Sequence, residues 1–406
     1  MAWRLAADPE VSAVVCAPGN PGMATLAACH QVAPTDVAGI LALVKQERID
    51  LTVVGPEAAL DAGVADALSA QGHPVVGPSQ RASALETSKV FSKDFMARAG
   101  IPTARFVVCR NEAEALAAVA GETFGFPVVV KADGLAGGKG VVVASTREEA
   151  EAAVRACMVD RQFGDAGQTL VIEECLTGPE VSFFVLADGQ RAIPLGTAQD
   201  HKRAFDDDRG PNTGGMGAFA PSRLMTPALQ TEVMTSIVEP VLREMAGMGG
   251  YRGFLYVSLM LTAEGPKVIE FNVRFGDPET QVVWPLLEGP LARTLLAAAH
   301  GNLDGMSLAV APRSCVGVVM AAQGYPMSPV VGQPIAGLDD ASQMGVTVFH
   351  AGTTMRDNRL VTSGGRVLTV VGQAETPGAA MAHAYQGVQC IRFDGMHYRS
   401  DIGRRA

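Results

Sequence analysis

Residues 128–143 read VVVKADGLAGGKGVVV: a valine strand, a glycine-rich loop and a second valine strand. β-Branched runs favour the extended chain. Between them, Gly134, Gly137, Gly138 and Gly140 let the backbone come close to a bulky anion, and Lys131 and Lys139 supply positive charge. A P-loop would need glycine at 133 and Ser or Thr at 140, the latter to hold magnesium; Asp133 and Gly140 stand there instead. The stretch therefore predicts a strand–loop–strand flap over phosphates, not a strand–loop–helix cradle. Taken alone, it also fits a glycine-rich hairpin with exposed lysines.

Working outward, Phe106–Val108 and Leu170–Ile172 supply two further strands, and Asn111–Ala120 and Arg147–Val159 read as helices. Together with the flap they predict an α+β unit. Upstream, Val14–Ala17, Leu51–Val54 and Pro74–Gly77 are short strand-like runs separated by amphipathic segments such as Asp36–Glu47, the pattern of a parallel α/β sheet. Residues 79–100 predict one or two helices carrying Lys89 and Lys93. The chain opens in a helix-like segment, Ala2–Ala7, where a β-α-β domain ordinarily begins with a strand. The expectation is a first domain without its opening strand or first phosphate loop.

Downstream, Gln199–Gly217 reads as a long loop, a length usually reserved for function. Pro227–Gly247 and Pro290–His300 are helical, and Phe254–Thr262 with Lys267–Phe275 reads as a hairpin. The tail from about 312 predicts strands at Val316–Met320, Val346–His350 and Arg366–Val371 and a helix near Pro377–Gln386, a small separate α+β domain. The expected fold class is multidomain α/β and α+β: an N-terminal parallel α/β domain over 1–88, a central domain over 89–300 with a lid at about 104–175, and a C-terminal domain over 301–406.

The 406 residues, 48% hydrophobic, suffice for two to four cored domains. A net charge of −10 argues against nucleic acid as a partner, though local lysines can still hold a nucleotide. No apolar run approaches the roughly 18–20 residues that span a bilayer, so no membrane partner is expected. The N-terminus does not read as a secretory signal. Seven scattered cysteines without a CxxC pair read as reduced thiols, and the expected location is the cytoplasm.

Three further segments carry chemistry. Glu173-Glu174-Cys175-Leu176, with Glu180 beyond it, ends a strand in acids. Backbone groups there can meet an adenine edge and a carboxylate can meet ribose hydroxyls; alone, the segment reads as a solvated strand end. Lys267-Val-Ile-Glu270-Phe-Asn272-Val-Arg274-Phe-Gly-Asp277-Pro-Glu279-Thr-Gln281 alternates on a strand, so Glu270, Asn272 and Arg274 share one face and Phe271, Val273 and Phe275 the other. Two oxygen ligands from one strand, completed by phosphate oxygens and water, suit Mg²⁺. The alternative is a solvent-facing strand with an internal Glu–Arg pair, to which Asn would add little. Finally, Asp200-His201-Lys202-Arg203 and Gly210-Pro-Asn212-Thr213-Gly214-Gly215-Met-Gly217 suggest closure over a small charged ligand, or else a surface excursion. No HExxH supports zinc, and no GxGxxG supports a dinucleotide.

Together these segments resemble the ATP-grasp ligases. The stretches VVKADGLAGGKGVVVA, VIEECLTGPEVSFFVL, AQDHKRAFDDDRGPNTGGMGAF and KVIEFNVRFGDPETQ are similar to those of one member family, the phosphoribosylamine–glycine ligases. Ala17-Pro-Gly-Asn20 and Val54-Gly-Pro-Glu57 match its first domain, and Val346–Gly352 and Ser363–Val367 its last. The resemblance covers essentially the whole chain. It implies an ATP-grasp fold and an ATP-dependent, ADP-forming condensation of glycine with 5-phosphoribosylamine through glycyl phosphate, in purine synthesis, by a monomer using Mg²⁺ or Mn²⁺. It further implies that Lys93 and Lys131 bind the phosphates of ATP under the Gly137–Gly140 flap, and that Glu173, Leu176 and Glu180, beside Glu174, hold adenine and ribose. Glu270 and Asn272 hold the metal, and Arg274 and Asp200 meet the amino acid, with Lys139 serving catalysis. Substrate contacts fall to Gly19, Asn20, Glu57, Asn212, Thr213, Gly214, Gly215, Asp277, Pro278 and Glu279. The family also opens with a strand and a Gly-Gly-Arg-Glu-His loop, and Met1-Ala-Trp-Arg aligns just past it. Rival readings are an ATP-grasp ligase for another acid or amine, against which the Asp200 segment argues, and an ATP-binding protein without acceptor chemistry.

Overall fold

The structure, a computed structural model, describes residues 1–121, 124–134 and 140–406. In the N-terminal region the strands are very short: β1 (Val15–Cys16) runs parallel to β2 (Ala28–Cys29), and β3 (Thr52–Val53) runs parallel to β4 (Val75–Val76). The helix Val37–Gln46 between the pairs begins where Asp36 accepts from the Gly39 N–H. Residues 79–100 form two helices, Gln80–Thr87 and Lys89–Ala99. Ser88 separates them: its extended backbone ends the first, and its hydroxyl accepts from Phe91 N–H to cap the second.

The two valine strands lie in a four-stranded antiparallel sheet of β5 (Phe106–Cys109), β6 (Val128–Ala132), β7 (Val141–Ala144) and β8 (Leu170–Glu174), in the order β5-β8-β6-β7. Val128, Val130 and Ala132 pack with Ala115, Val119, Ala150 and Val154 of the helices Glu112–Ala120 and Arg147–Met158. The alternate residues Val129 and Lys131 fall on the other face, toward the central cleft.

The central sheet has eight strands: β9 (Glu180–Asp188), β10 (Ala192–Asp200), β11 (Gly217–Ala220), β12 (Arg252–Thr262), β13 (Gly265–Asn272), β14 (Ser314–Ala321), β15 (Thr347–His350) and β16 (Arg366–Ala374). Their order is β13-β12-β9-β10-β11-β14-β16-β15. The last three come from the tail. They extend the central sheet through the antiparallel β11–β14 pair, where the sequence predicted a sheet of their own.

Behind the sheet, Phe183, Val185, Leu255, Val257, Val268 and Phe271 form one core with the helical stretch from Pro227 to Ala246. A π-helical turn, Met234–Val238, precedes Pro240, which cannot donate to the helix ladder. On the opposite face the sheet changes character along its length. Phe184, Leu186 and Phe254 pack with Phe275 and Trp284, whereas Ser182, Ser258 and Glu270, register partners across β9, β12 and β13, are polar.

The segment predicted as one long loop is partly a hairpin. Strand β10 continues to Asp200, and Arg203–Phe205 pairs with Arg209–Asn212. The turn places Asp207 and Asp208 at φ of 59° and 52°, a left-handed conformation that Asp tolerates better than most residues. Partners for this polar ribbon come from the C-terminus. Arg399, fully buried, donates to Asp208 at 2.9 Å and to Arg203 O at 3.1 Å, and Ser400 N–H donates to Asp206 at 2.8 Å.

Candidate active site

The lid sheet, the polar face of the central sheet, the N-terminal loops and the tail enclose one cleft of about 1420 Å³. At its centre lies the hairpin β12–β13. Glu270 and Asn272 alternate with buried Phe271 and Val273, and their register partners on β12 are Ser258 and Tyr256. The predicted face is formed, but β13 ends at Asn272 and Arg274 lies beyond it. Arg274 instead reaches the N-terminal region: its Nε lies 3.1 Å from Glu57, and its Nη2 lies 2.9 Å from Glu86, whose other oxygen accepts from Val273 N–H at 2.7 Å. These carboxylates outweigh burial and hold the guanidinium pKa above its usual value.

Cations crowd the metal-like face. Lys89 Nζ lies 2.8 Å from Glu270 Oε2. Chiefly through Lys89, and against burial, the Glu270 carboxyl is pulled down to about 2. Lys131 Nζ lies 3.0 Å from Glu173 and donates to Ile269 O at 3.3 Å. Lys93, expected at the phosphates, turns away from the cleft. It is 2% exposed, donates to Thr103 at 2.7 Å, and lies 3.1 Å from Glu173 and 5.7 Å from the Phe106 ring centroid. Burial pushes its pKa down to about 8 against the pull of Glu173. Glu173, expected at the nucleoside, is 3% exposed and clamped between the two lysines.

Gly140, Glu174, Leu176 and Glu180 line the cleft. Glu174 is held by Arg105 at 2.6 Å, and Glu180 by Lys202. Lys202 also lies 3.5 Å from Asp200, whose carboxyl pKa burial raises. Glu279 accepts from the Tyr256 hydroxyl at 3.0 Å, and the Ser182 hydroxyl lies 3.5 Å away. Burial first, and then Asp200, pushes the Glu279 carboxyl up to about 7. His201, 2% exposed, is pushed down to about 4 by burial and by Arg399 and Arg405, so it is neutral at physiological pH.

Asn20, Glu57, Asn212, Thr213, Gly214 and Asp277 also face the cleft. Asn20 donates to His350 O at 2.8 Å, joining the first domain to the tail. Gly19, Gly215 and Pro278 are structural neighbours of these residues. Gly19, at φ 80°, packs on Cys29, and a Cβ on Gly215 would meet Pro278 at 2.5 Å. Arg366 donates to Gly214 O and Asp277 O, both at 2.7 Å, and to the Asp277 carboxylate at 3.0 Å. Gly137, Gly138 and Lys139 lie outside the described residues.

Glu86, Tyr256 and Arg366 were not singled out by the sequence, and Lys89 and Lys202, though named on their segments, were given no role of their own. Two signals existed: Lys89 sits one helical turn before Lys93, and Lys202 stands two residues after Asp200. Among the described residues, no group of three His, Cys, Asp or Glu could hold a metal ion. Glu270 and Asn272 are two oxygen donors on one strand face, which fits a hard cation that takes its remaining ligands from phosphate and water.

Comparison with known proteins agrees along the chain. Models of the family described as phosphoribosylglycinamide synthetase match residues 1–86 (N domain), 87–280 (ATP-grasp A domain) and 315–405 (C domain). The phosphoribosylamine–glycine ligase of Ralstonia nicotianae is 49% identical over 408 residues, covering 100% of this chain and 96% of its own. That of Brucella melitensis is 48% identical, with 100% and 95% covered. The crystal structure of the Thermotoga maritima phosphoribosylamine–glycine ligase superposes with a TM-score of 0.86 at 32% identity, covering 98% of this chain and 96% of that one. The biotin carboxylase domain of Hydrogenobacter thermophilus 2-oxoglutarate carboxylase, solved with MgADP, ADP and bicarbonate, shares the fold: TM-score 0.71, 18% identity, 98% and 89% covered.

Proposed function

We propose how this site works from one premise: the chain belongs to the phosphoribosylglycinamide synthetase family. It is an ATP-grasp carboxylate–amine ligase of purine biosynthesis that joins glycine to 5-phosphoribosylamine and forms ADP. In our reading glycine's carboxylate first takes the γ-phosphoryl group, and the amine then displaces phosphate from glycyl phosphate.

Phosphoryl transfer to a carboxylate brings like charges together, so neutralising and aligning them is most of what catalysis requires. Lys131 on β6 and Lys89 at the start of its helix supply ammonium groups beside Glu270. One unit-charge pair at about 4 Å is worth roughly 4 kcal/mol at an effective dielectric near 20. Glu270 and Asn272 would hold a divalent ion, Mg²⁺ or Mn²⁺, which supplies charge neutralisation at the transferring phosphoryl group. Lys93 acts at one remove, since with Lys131 it grips Glu173 and so fixes where Lys131 points.

Leu176 and Glu180 take adenine and ribose, while Glu173 and Glu174 contribute through the strand they anchor. Arg274 and Asp200 receive the amino acid. Asn20, Glu57, Asn212–Gly215 and Asp277 receive the amine. The flap, with Gly137, Gly138, Lys139 and Gly140, closes over the phosphates and keeps the acyl phosphate from water. In this division, 1–88 serves phosphoribosylamine, 89–300 is the ATP-grasp domain with its lid, and 301–406 is the C-terminal α+β domain. A cytoplasmic monomer completes the proposal: one chain supplies the whole cleft, and all seven cysteines are free thiols.

The observation that carries this reading is the polar face of β13, Glu270 and Asn272, beside Lys89 and Lys131 at the mouth of the lid. The test is an ADP-release assay with ATP and a divalent cation. Release that needs both glycine and phosphoribosylamine is expected. Release with another acid or amine, and not with these, overturns the substrate assignment.

A further inference from the structure

Glu279 stands apart from the other acids of the cleft. We propose that it is the general base that takes the proton from the attacking amine in the second half of the reaction, an inference that rests on the ligase reading above. Every other carboxylate lining the cleft has a Lys or Arg nitrogen within ion-pair distance: Lys89 for Glu270, Lys202 for Asp200, Arg274 for Glu57 and Glu86, Arg366 for Asp277, and the remainder likewise. Among the described residues Glu279 has none. It is 3% exposed, and its partners are neutral hydroxyls: Tyr256 at 3.0 Å and Ser182 at 3.5 Å, themselves 2.9 Å apart.

An ion pair makes a carboxylate a weak base; burial without one makes it a stronger base. The contrast within this cleft is large. Glu270, beside Lys89, is held at about 2, whereas Glu279 stands at about 7. The charged and titratable groups facing Glu279 are Asp200, which raises it, Lys202 and the Tyr256 hydroxyl, which lower it, and Arg274, whose own pKa Glu279 helps to raise after Glu86 and Glu57. The hydroxyl pair fixes the direction of the carboxylate. Tyr256 is the register partner of Asn272, so the base is anchored to the strand that presents the phosphoryl-transfer face.

The step balances. The amine nitrogen bonds to the carbonyl carbon of glycyl phosphate, and phosphate leaves with the electron pair of the broken C–O bond. One N–H proton passes to Glu279, which then yields it to phosphate or water.

The experiment compares two amines in wild type and Glu279→Gln. Hydroxylamine, whose adduct can lose its proton to solvent, traps glycyl phosphate as glycine hydroxamate; phosphoribosylamine gives the ligation product. For E279Q we expect hydroxamate formation within a few-fold of wild type, but ligation reduced on the order of 10²–10⁴-fold, the usual worth of a general base. The acid limb of the ligation pH profile should vanish with it. Tyr256→Phe, which removes a donor to the carboxylate, should move that limb to higher pH and leave the hydroxamate profile in place. Equal loss of both products in folded E279Q would make Glu279 a binder of glycine, and retention of both would leave it without a role; either result overturns the proposal. Absence of hydroxamate from wild type that still ligates phosphoribosylamine would overturn the glycyl phosphate step on which the proposal rests.

Discussion

At the scale of single residues, the site is a set of charges whose behaviour is set by who sits beside them. Asn272 is neutral, 9% exposed and flanked by buried Phe271 and Val273, so it can be shortened without disturbing the core. Asn272→Ala should lower ATP turnover by at least about 10²-fold, the scale seen for residues that only support a metal ligand. Its melting temperature should stay close to wild type, and the defect should lessen as divalent cation is raised. Full activity at low cation would remove Asn272 from the metal site. Lys93 allows a different test. Because its folded pKa is lowered from 10.5 to about 8, the folded state binds fewer protons than the unfolded chain between those values. Stability from this group must therefore rise with pH across that window. Lys93→Met should flatten the rise, as read by urea denaturation at pH 8 and pH 10. An unchanged slope would show that Lys93 is not held in this state.

At the scale of elements, the polar face of β13 depends on the apolar cluster at its end. Phe275 stacks on Phe184 with centroids 4.2 Å apart and 5° between planes, and meets Phe254 and Trp284 edge-on. Phe275→Ala should cost about 3–5 kcal/mol in chemical denaturation. Turnover should fall as well, because Arg274 and Asp277 flank the same turn. A loss below about 1 kcal/mol would mean the cluster collapses around the gap. This element was legible in the sequence, since alternation with a period of two assigns Glu270 and Asn272 to one side and Phe271 and Val273 to the other. Lys89 and Lys93 were not separable in that way. Four residues apart on one helix, they share a face, and only the position of Glu173 on β8 and of Glu270 on β13 draws them to different ends.

At the scale of the molecule, one arginine of the tail ties two segments of the cleft wall together. Arg366 opens β16 and binds both the glycine loop at Gly214 and the Asp277 turn. Arg366→Ala should lower kcat/KM for phosphoribosylamine by roughly 10²-fold, the cost of a small misplacement of reacting groups. Limited proteolysis should find the 210–217 segment more open. Unaltered kinetics with phosphoribosylamine would show that this tie is incidental.

The sequence by itself determined the local elements and their chemistry: the valine strands of the flap, the helical character of residues 79–100, and the carboxylate and amide side by side on β13. These follow from backbone preference and side-chain period, which act over a few residues. Only the tertiary structure decided where Arg274 points, that Arg203–Asn212 is a hairpin, and that the tail strands complete the central sheet. Each depends on partners far along the chain: Glu57 and Glu86 for the first, Arg399 and Ser400 for the second, and the β11–β14 pairing for the third. Charge pairing and strand pairing act through space, so their outcome is fixed once packing brings distant segments together, and no local pattern records it.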